Sequence, residues 1–258
     1  MTRSFDVLGN IAIVHFPHEV KQAEKRKFAQ KILKENLVIK TILEKKGKIH
    51  GRLRKISTKY LAGEKTKEVL YHENGCVFRF DVDETYFSPR LSNERKEIAS
   101  KIKKGENVLV MFAGVAPFSI VIAKNSSAKK VFSNEINRKA NKYAELNIEL
   151  NKLKKKIELV SGDIKKVAQK LKIKFDVIVM PRPQLKETFL KEAFSLSKKN
   201  TRIYYYDFCK EDETDLFVEK IQKAAKQFRR RIKILKIKKA GEIAPYKIRV
   251  RVDFQVIN

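Results

Sequence analysis

Four short stretches of this chain carry residue types suited to holding a nucleoside-like ligand. In Phe112-Ala113-Gly114-Val115-Ala116-Pro117-Phe118, small residues follow an apolar run and precede a helix-forming segment. Small side chains let the backbone approach a ligand, and a following helix offers its positive N-terminal end. One glycine is not a dinucleotide fingerprint, so a plain strand-to-helix turn explains the stretch equally well. In Ser133-Asn134-Glu135-Ile136-Asn137 the acid Glu135 can accept hydrogen bonds from both hydroxyls of a ribose, or it can complement a helix dipole. Ser161-Gly162-Asp163 places an acid where an adenine amino group can donate to it, or where a helix needs an N-cap. Met180-Pro181-Arg182-Pro183 has two prolines that fix a rigid loop. An adenosine-type cofactor lying along strand ends is the simplest joint explanation. Metal chemistry has no such support. Cys76 and Cys209 lie far apart, and His15-Phe16-Pro17-His18, the one close histidine pair, has no thiol or carboxylate cluster beside it. Neither a metal nor a disulfide framework is expected.

These stretches work only if strands and helices bring them to one edge. From Leu91 onward the sequence alternates. A helix over Ser92–Lys103 leads to the apolar strand Val108–Phe112, and a short helix follows the turn. Strand 130–133 precedes a helix that Asn137 can cap and that runs to about Asn151. Strand 157–160, helix 164–172, strand 176–180, helix 186–198, strand 201–206 and helix 211–228 continue the rhythm. The chain closes with strands 232–237 and 246–256, in which Ile248, Val250, Val252, Phe254 and Val256 alternate with polar positions, as in a strand with one wet face. Five βα units and a hairpin imply a doubly wound, mostly parallel sheet with an antiparallel addition, and ligands in such sheets bind beyond the carboxyl ends of the strands. The residues before 83 read as a small α+β module: strand 7–16, helix 19–34, strand 38–43, stretch 52–62, and a hairpin over 68–83 turned at Asn74-Gly75. Two domains, 1–82 and 83–258, are expected.

The chain of 258 residues has Lys+Arg 59 against Asp+Glu 30, a net charge of +29. Charge on this scale attracts polyanions, with nucleic acid ahead of an anionic membrane. Adaptation to heat is the competing explanation, although it would enrich glutamate alongside lysine. Hydrophobic residues at 43% supply a core. No apolar run reaches the length of a membrane span, and the N-terminus lacks a cleavage pattern, so a cytoplasmic protein is expected.

The stretch from Glu73 to Arg95, ENGCVFRFDVDETYFSPRLSNER, followed by VLVMFAGVAPFSI, NEIN, SGD and APYKIRVRVDF, resembles the archaeal and eukaryotic tRNA methyltransferases that modify N1 of guanosine at position 37. The resemblance covers almost the whole chain from Gly9. It implies an α/β class I S-adenosylmethionine-dependent methyltransferase fold preceded by a small α+β domain, with tRNA as partner, no membrane, no metal and a monomeric state. By the same resemblance, Glu94 is the general base that takes the guanine N1 proton, and Arg54 stabilises charge developing on guanine O6. Glu135 is the ribose-binding acid and Asp163 the adenine-side acid. Phe112, Ala113, Gly114 and Pro181 belong to the cofactor site, while Tyr86, Phe87, Pro89, Arg95 and Pro183 belong to the target pocket.

Three departures stand out. Val110 replaces a usual acid, and Ala116 replaces the second glycine of FAGVGP, which implies weaker cofactor binding. Pro181-Arg182-Pro183 replaces an Asn-Leu-Pro motif, as in the archaeal subgroup that also methylates C7 of 4-demethylwyosine. Many relatives carry a further N-terminal domain, which this chain is expected to lack. Two other functions stay open: aminocarboxypropyl transfer from the same cofactor in wyosine synthesis, and a noncatalytic RNA-binding role with a decayed cofactor site.

Overall fold

The structure is a computed structural model, and it describes residues 5–17, 19–51, 53, 55–181 and 187–258. The N-terminal part contains strands β1 (Phe5–Leu8) and β2 (Ile11–Val14), helix α1 (Gln22–Glu35), and strands β3 (Thr41–His50) and β4 (Lys55–Gly63). These form a four-stranded sheet in sequence order, parallel only between β2 and β3, where α1 makes the crossover. The expected single strand over 7–16 is therefore a tight hairpin. Its turn falls at Gly9, which has φ 53° and lies so close to the next unit that an added Cβ would stand 1.9 Å from the Leu70 carbonyl oxygen. Only glycine fits there. Ala12, Val14, Ile42 and Leu61 bury one face of the sheet with Ala29 and Ile32 of α1. Ile11, Ile13 and Leu43 turn the other way and join the core of the larger domain.

Strands β5 (Glu68–Glu73) and β6 (Cys76–Asp81) form the expected hairpin, with Asn74 and Gly75 at φ 48° and 72°. A 3-10 turn over Pro89–Leu91 then leads into α2 (Ser92–Ser100). The larger domain continues β7 (Asn107–Val110), α3 (Pro117–Asn125), β8 (Lys130–Glu135), α4 (Arg138–Leu150), β9 (Ile157–Ser161), α5 (Ile164–Lys170), β10 (Phe175–Met180), α6 (Leu190–Ser195), β11 (Ser197–Lys210), α7 (Thr214–Gln227), β12 (Ile232–Ala244) and β13 (Lys247–Val256). The seven strands lie in the order β12-β13-β11-β10-β7-β8-β9. Strands β7 to β11 are mutually parallel, and β13 and β12 add antiparallel. The chain winds outward from β7 through β8 to β9, then returns to place β10 on the other side of β7. The switch point therefore lies between β7 and β10, where a doubly wound sheet opens its ligand crevice.

Several expected boundaries move. Strand β7 stops at Val110, two residues short of the expected end, because Phe112 takes a left-handed conformation with φ 57°. Strand β11 runs past both expected ends and takes residues 197 and 198 from the expected helix over 186–198. The largest correction concerns β13, whose polar positions were expected to be wet. Arg249, Arg251 and Asp253 are all buried, Arg251 completely, because α2 covers that face and supplies acids to it. Period-2 alternation cannot distinguish water from a layer of compensating charge.

Candidate active site

At the carboxyl ends of β7, β8 and β10 lies a cleft lined by residues from both the loops after these strands and the segment before α2. Phe112, Ala113 and Gly114 form one wall, and Glu135 and Pro181 close the sides. Tyr86, Phe87 and Arg95 face them from the loop before α2 and from α2 itself. Eight of the expected site residues thus meet in one cavity, to which the small domain contributes Leu53.

The loop over residues 112–116 owes its shape to unusual backbone. Phe112, Gly114 and Ala116 all have positive φ, at 57°, 60° and 67°. For non-glycine residues this conformation costs on the order of 1–2 kcal/mol each, and such strain concentrates where a ligand is held. Ala116, in the place where the resemblance expects glycine, adopts the conformation that glycine would favour. The strained turn is pinned from β8: Ala113 N–H donates to the Asn134 carbonyl at 2.8 Å, and Gly114 N–H to Glu135 Oε2 at 2.8 Å. Oε1 of Glu135 accepts from the backbone N–H groups of Ile136 and Asn137, each at 2.8 Å. A carboxylate has about four acceptor positions, so Oε2 keeps one for a ligand hydroxyl while the other three orient the group. Phe112 and Phe189 pack edge to face at 5.1 Å, giving this side an aromatic wall.

On the opposite wall, Phe87 stacks on Phe80 at 4.6 Å and meets Tyr71 edge-on at 5.0 Å. Arg95, only 1% exposed, lies 5.1 Å from the Phe87 ring and 5.7 Å from the Phe118 ring. The two halves of the cleft are close: a Cβ on Gly114 would lie 3.3 Å from the Tyr86 carbonyl oxygen. Asn137, which caps α4 by accepting from Lys139 N–H at 3.0 Å, also donates to the Glu84 carbonyl at 2.9 Å and lines the cleft. Sequence reasoning assigned it the cap alone.

Three described candidates do not line the cavity. Pro89 starts the 3-10 turn outside it. Asp163 caps α5 by accepting from Lys165 N–H at 3.1 Å, the simpler of its two expected roles. Glu94 is buried but faces the sheet. It accepts from Tyr206 Oη at 2.8 Å, from Lys238 Nζ at 2.7 Å and from Arg251 Nη1. Arg251 also pairs with Glu97 at 2.6 Å and Asp253 at 2.6 Å, and Lys101 meets Asp253 at 2.9 Å. Burial would raise the Glu94 carboxyl, but the Lys238 hydrogen bond, the Arg251 charge and the Tyr206 hydroxyl hold it below the usual glutamate range. Tyr206 is pushed far above the usual phenol range by burial and by Glu94, so it remains a donor. Arg54 and Pro183, with His18 and Arg182, lie outside the described residues.

Cys76 is buried, and that burial pushes its thiol up to about 11. Near neutral pH it stays protonated and is a poor nucleophile. Among the described residues no group of three or more His, Cys, Asp or Glu side chains can hold a metal. Among them, too, no helix is long and apolar enough to cross a membrane.

Comparison with known proteins matches residues 69–235 to the TRM5/TYW2 methyltransferase domain and residues 1–66 to the TYW2 N-terminal domain. The chain is 36% identical to the tRNA (guanine(37)-N(1))-methyltransferase Trm5b of Pyrococcus abyssi, over 98% of this chain and 74% of that protein. Its crystal structure superposes with a TM-score of 0.86 and 34% identity, covering 99% of this chain and 75% of that one. Identity is 34% to Taw22 of Nanoarchaeum equitans, a tRNA (guanine(37)-N(1))/4-demethylwyosine(37)-methyltransferase, over 98% of this chain and all of that protein (100%). The structure of Methanocaldococcus jannaschii Trm5 in complex with adenosine is similar at a TM-score of 0.82 and 27% identity, covering 99% of this chain and 72% of that one. With a matched catalytic domain, close relatives along its length and the same doubly wound sheet, the chain belongs to the TRM5/TYW2 methyltransferase family.

Proposed function

We propose that the chain transfers a methyl group from S-adenosylmethionine to N1 of guanosine 37 of tRNA, and also methylates 4-demethylwyosine at that position. The observation that carries this reading is a cleft in which a strained loop tied to Glu135 faces the aromatic and cationic wall of Tyr86, Phe87 and Arg95. One wall suits the nucleoside of the cofactor and the other suits a planar base beside a fixed cation. Similarity to Taw22, together with Pro181 lining the cleft where the resemblance expects a polar arm, supports the bulkier second substrate.

S-adenosylmethionine, when bound, supplies an electrophilic methyl on a positively charged sulfur. Guanine N1 carries a proton that must leave before its in-plane lone pair attacks. The N1–methyl bond then forms as the sulfur–methyl bond breaks, leaving S-adenosylhomocysteine. Glu135 orients the ribose through its remaining acceptor position, and Arg95 with the Phe87 ring receives the base. Arg54, one residue beyond the cleft-lining Leu53, is assigned to the charge on O6. Glu94 is assigned the proton. To accept it, the carboxylate has to turn from Lys238, Arg251 and Tyr206, which hold it in the charged, proton-accepting form, toward the cleft. Asp163 keeps its assignment to the adenine side, and Pro89 and Pro183 theirs to the target side. The RNA-positioning part is assigned to residues 1–82 and the catalytic part to 83–258, with the β5–β6 hairpin packed into the core of the latter.

Purified chain incubated with labelled S-adenosylmethionine and unmodified tRNA is expected to produce 1-methylguanosine and S-adenosylhomocysteine. Methylthioadenosine as coproduct would identify aminocarboxypropyl transfer instead, and failure to bind the cofactor would identify a decayed site. In Glu94→Gln, single-turnover transfer is expected to fall by about 10²-fold or more, the usual range for a lost general base, with cofactor affinity retained. Parent-like transfer would remove Glu94 from the proton step.

A further inference from the structure

The β5–β6 hairpin contributes none of the residues lining the cleft, yet Glu73, the last residue of β5, grips one that does. The Arg95 guanidinium has five donor hydrogens in a rigid plane. Nε donates to Glu73 Oε1, and Nη2 donates to Glu73 Oε2 at 2.5 Å and to the Ser88 carbonyl at 3.0 Å. The side chains of both ions are almost fully buried, at 1% and 3% exposure. Nη1 makes no hydrogen bond to a described residue, while Arg95 itself forms part of the cleft wall. Nη1 is thus left with its donor hydrogens uncommitted to the described residues. Because Arg95 lines the cleft, these hydrogens are the ones a ligand oxygen there can use.

The hairpin that carries Glu73 is rigidly mounted. Asn147 of α4 accepts from Arg79 N–H at 2.7 Å and donates to the Arg79 carbonyl at 3.1 Å, and Asn151 does the same for Val77 at 3.0 and 2.7 Å. Two side-chain amides one helical turn apart thus pair with the edge of β6 as a neighbouring strand would. Asn147 also donates to the Val115 carbonyl at 3.2 Å, inside the strained cofactor-side loop. One rigid path therefore runs from that loop through α4 and the hairpin to Glu73.

We propose that Glu73 is a positioning residue for methyl transfer: by holding Nε and Nη2 of Arg95, it sets the guanidinium plane so that Nη1 donates to an oxygen of the target nucleotide. The inference rests on the methyl-transfer reading above. It differs from a purely stabilising ion pair in predicting that the effect on rate passes through Arg95.

The test is a double-mutant cycle on the full chain, reading single-turnover methyl transfer at saturating tRNA and, separately, S-adenosylmethionine affinity by calorimetry. Glu73→Gln is expected to slow transfer by about tenfold or more, as displacement of a positioned group does, with cofactor affinity unchanged. Glu73→Asp, which keeps the charge on a shorter arm, is expected to recover part of the rate. In an Arg95→Lys background, where the planar fork is gone, Glu73→Gln is expected to cost nothing further. An unchanged rate in Glu73→Gln, or an equal loss in both backgrounds, overturns the proposal. If Glu73→Gln fails to fold, seen as lost cofactor binding, the same cycle with Glu73→Asp decides the matter by the same criterion. A parent protein that transfers no methyl group defeats the functional reading itself and is thereby distinguished.

Discussion

Glu94 and Arg95 are consecutive residues of one helix, yet they answer to different parts of the molecule. The step of about 100° between neighbours on a helix sends Glu94 toward Tyr206 of β11, Lys238 of β12 and Arg251 of β13 and Arg95 toward Glu73 and the cleft. Removing one partner of such a buried pair leaves an uncompensated charge, which is why single substitutions here need a folding control. The loop over residues 112–116, proposed to hold the cofactor, offers a cleaner single-residue probe. At Gly114, φ is 60° and an added Cβ would stand 3.3 Å from the Tyr86 carbonyl. Gly114→Ala is expected to cost on the order of 1–2 kcal/mol from the left-handed backbone alone. Because strain relief moves the N–H bonded to Glu135, cofactor affinity should fall roughly tenfold, about 1.4 kcal/mol. Calorimetric titration checks this, and parent-like affinity would show that the loop has slack.

At the scale of elements, α4 does more than cover the sheet. Its buried stripe comprises Ala140, Ala144, Asn147, Ile148 and Asn151, at helical spacing. Two asparagines on an otherwise apolar stripe signal buried amides that need partners. The signal was present in the sequence, but the partners, Val77 and Arg79 on β6, are about seventy residues away and only the fold supplies them. Asn147→Ala leaves the Arg79 N–H and two carbonyls unmatched. At about 1–3 kcal/mol for each such group, we expect a loss of at least about 3 kcal/mol. For a chain of this size that corresponds to a fall in melting temperature on the order of 6–12 °C. Thermal unfolding measures it, and a shift within a degree or two would mean that water replaces the amide.

At the scale of the whole molecule, charge dominates. The excess of 59 basic over 30 acidic residues is spread over both domains. Lys21, Arg26, Lys27, Lys31 and Lys34 are exposed along α1, and Lys152, Lys154, Lys155 and Lys156 are exposed where α4 leads to β9. Elsewhere acids are drawn inward, as Glu94, Glu73 and Asp253 are, so ion pairing in the interior takes up carboxylates that would otherwise offset surface cations. Binding of tRNA is expected to weaken steeply with salt, each neutralised phosphate adding roughly 0.7–0.9 to the magnitude of the log–log slope. A filter-binding series from low to physiological salt measures that slope. A nearly flat dependence would assign the lysines to thermal adaptation instead.

Much of this was legible without a structure, because the relevant forces act locally. Apolar runs bounded by turn residues placed β7 to β10, Asn137 and Asp163 marked two helix starts, and Asn74-Gly75 marked the hairpin turn. Small residues and an acid at strand ends located one wall of the cleft, since a doubly wound sheet opens its crevice at that edge. Three things were decided by tertiary structure alone. Strand β13 is dry on both faces because a distant helix brings acids to its arginine. The left-handed turn that ends β7 early is held by Asn134 and Glu135 from the neighbouring strand. The opposite destinations of Glu94 and Arg95 depend on which elements flank α2. Each requires a buried charge or strained backbone to be compensated by residues far away in the chain. A sequence shows that a compensating group is needed, while only the packed molecule shows where it comes from.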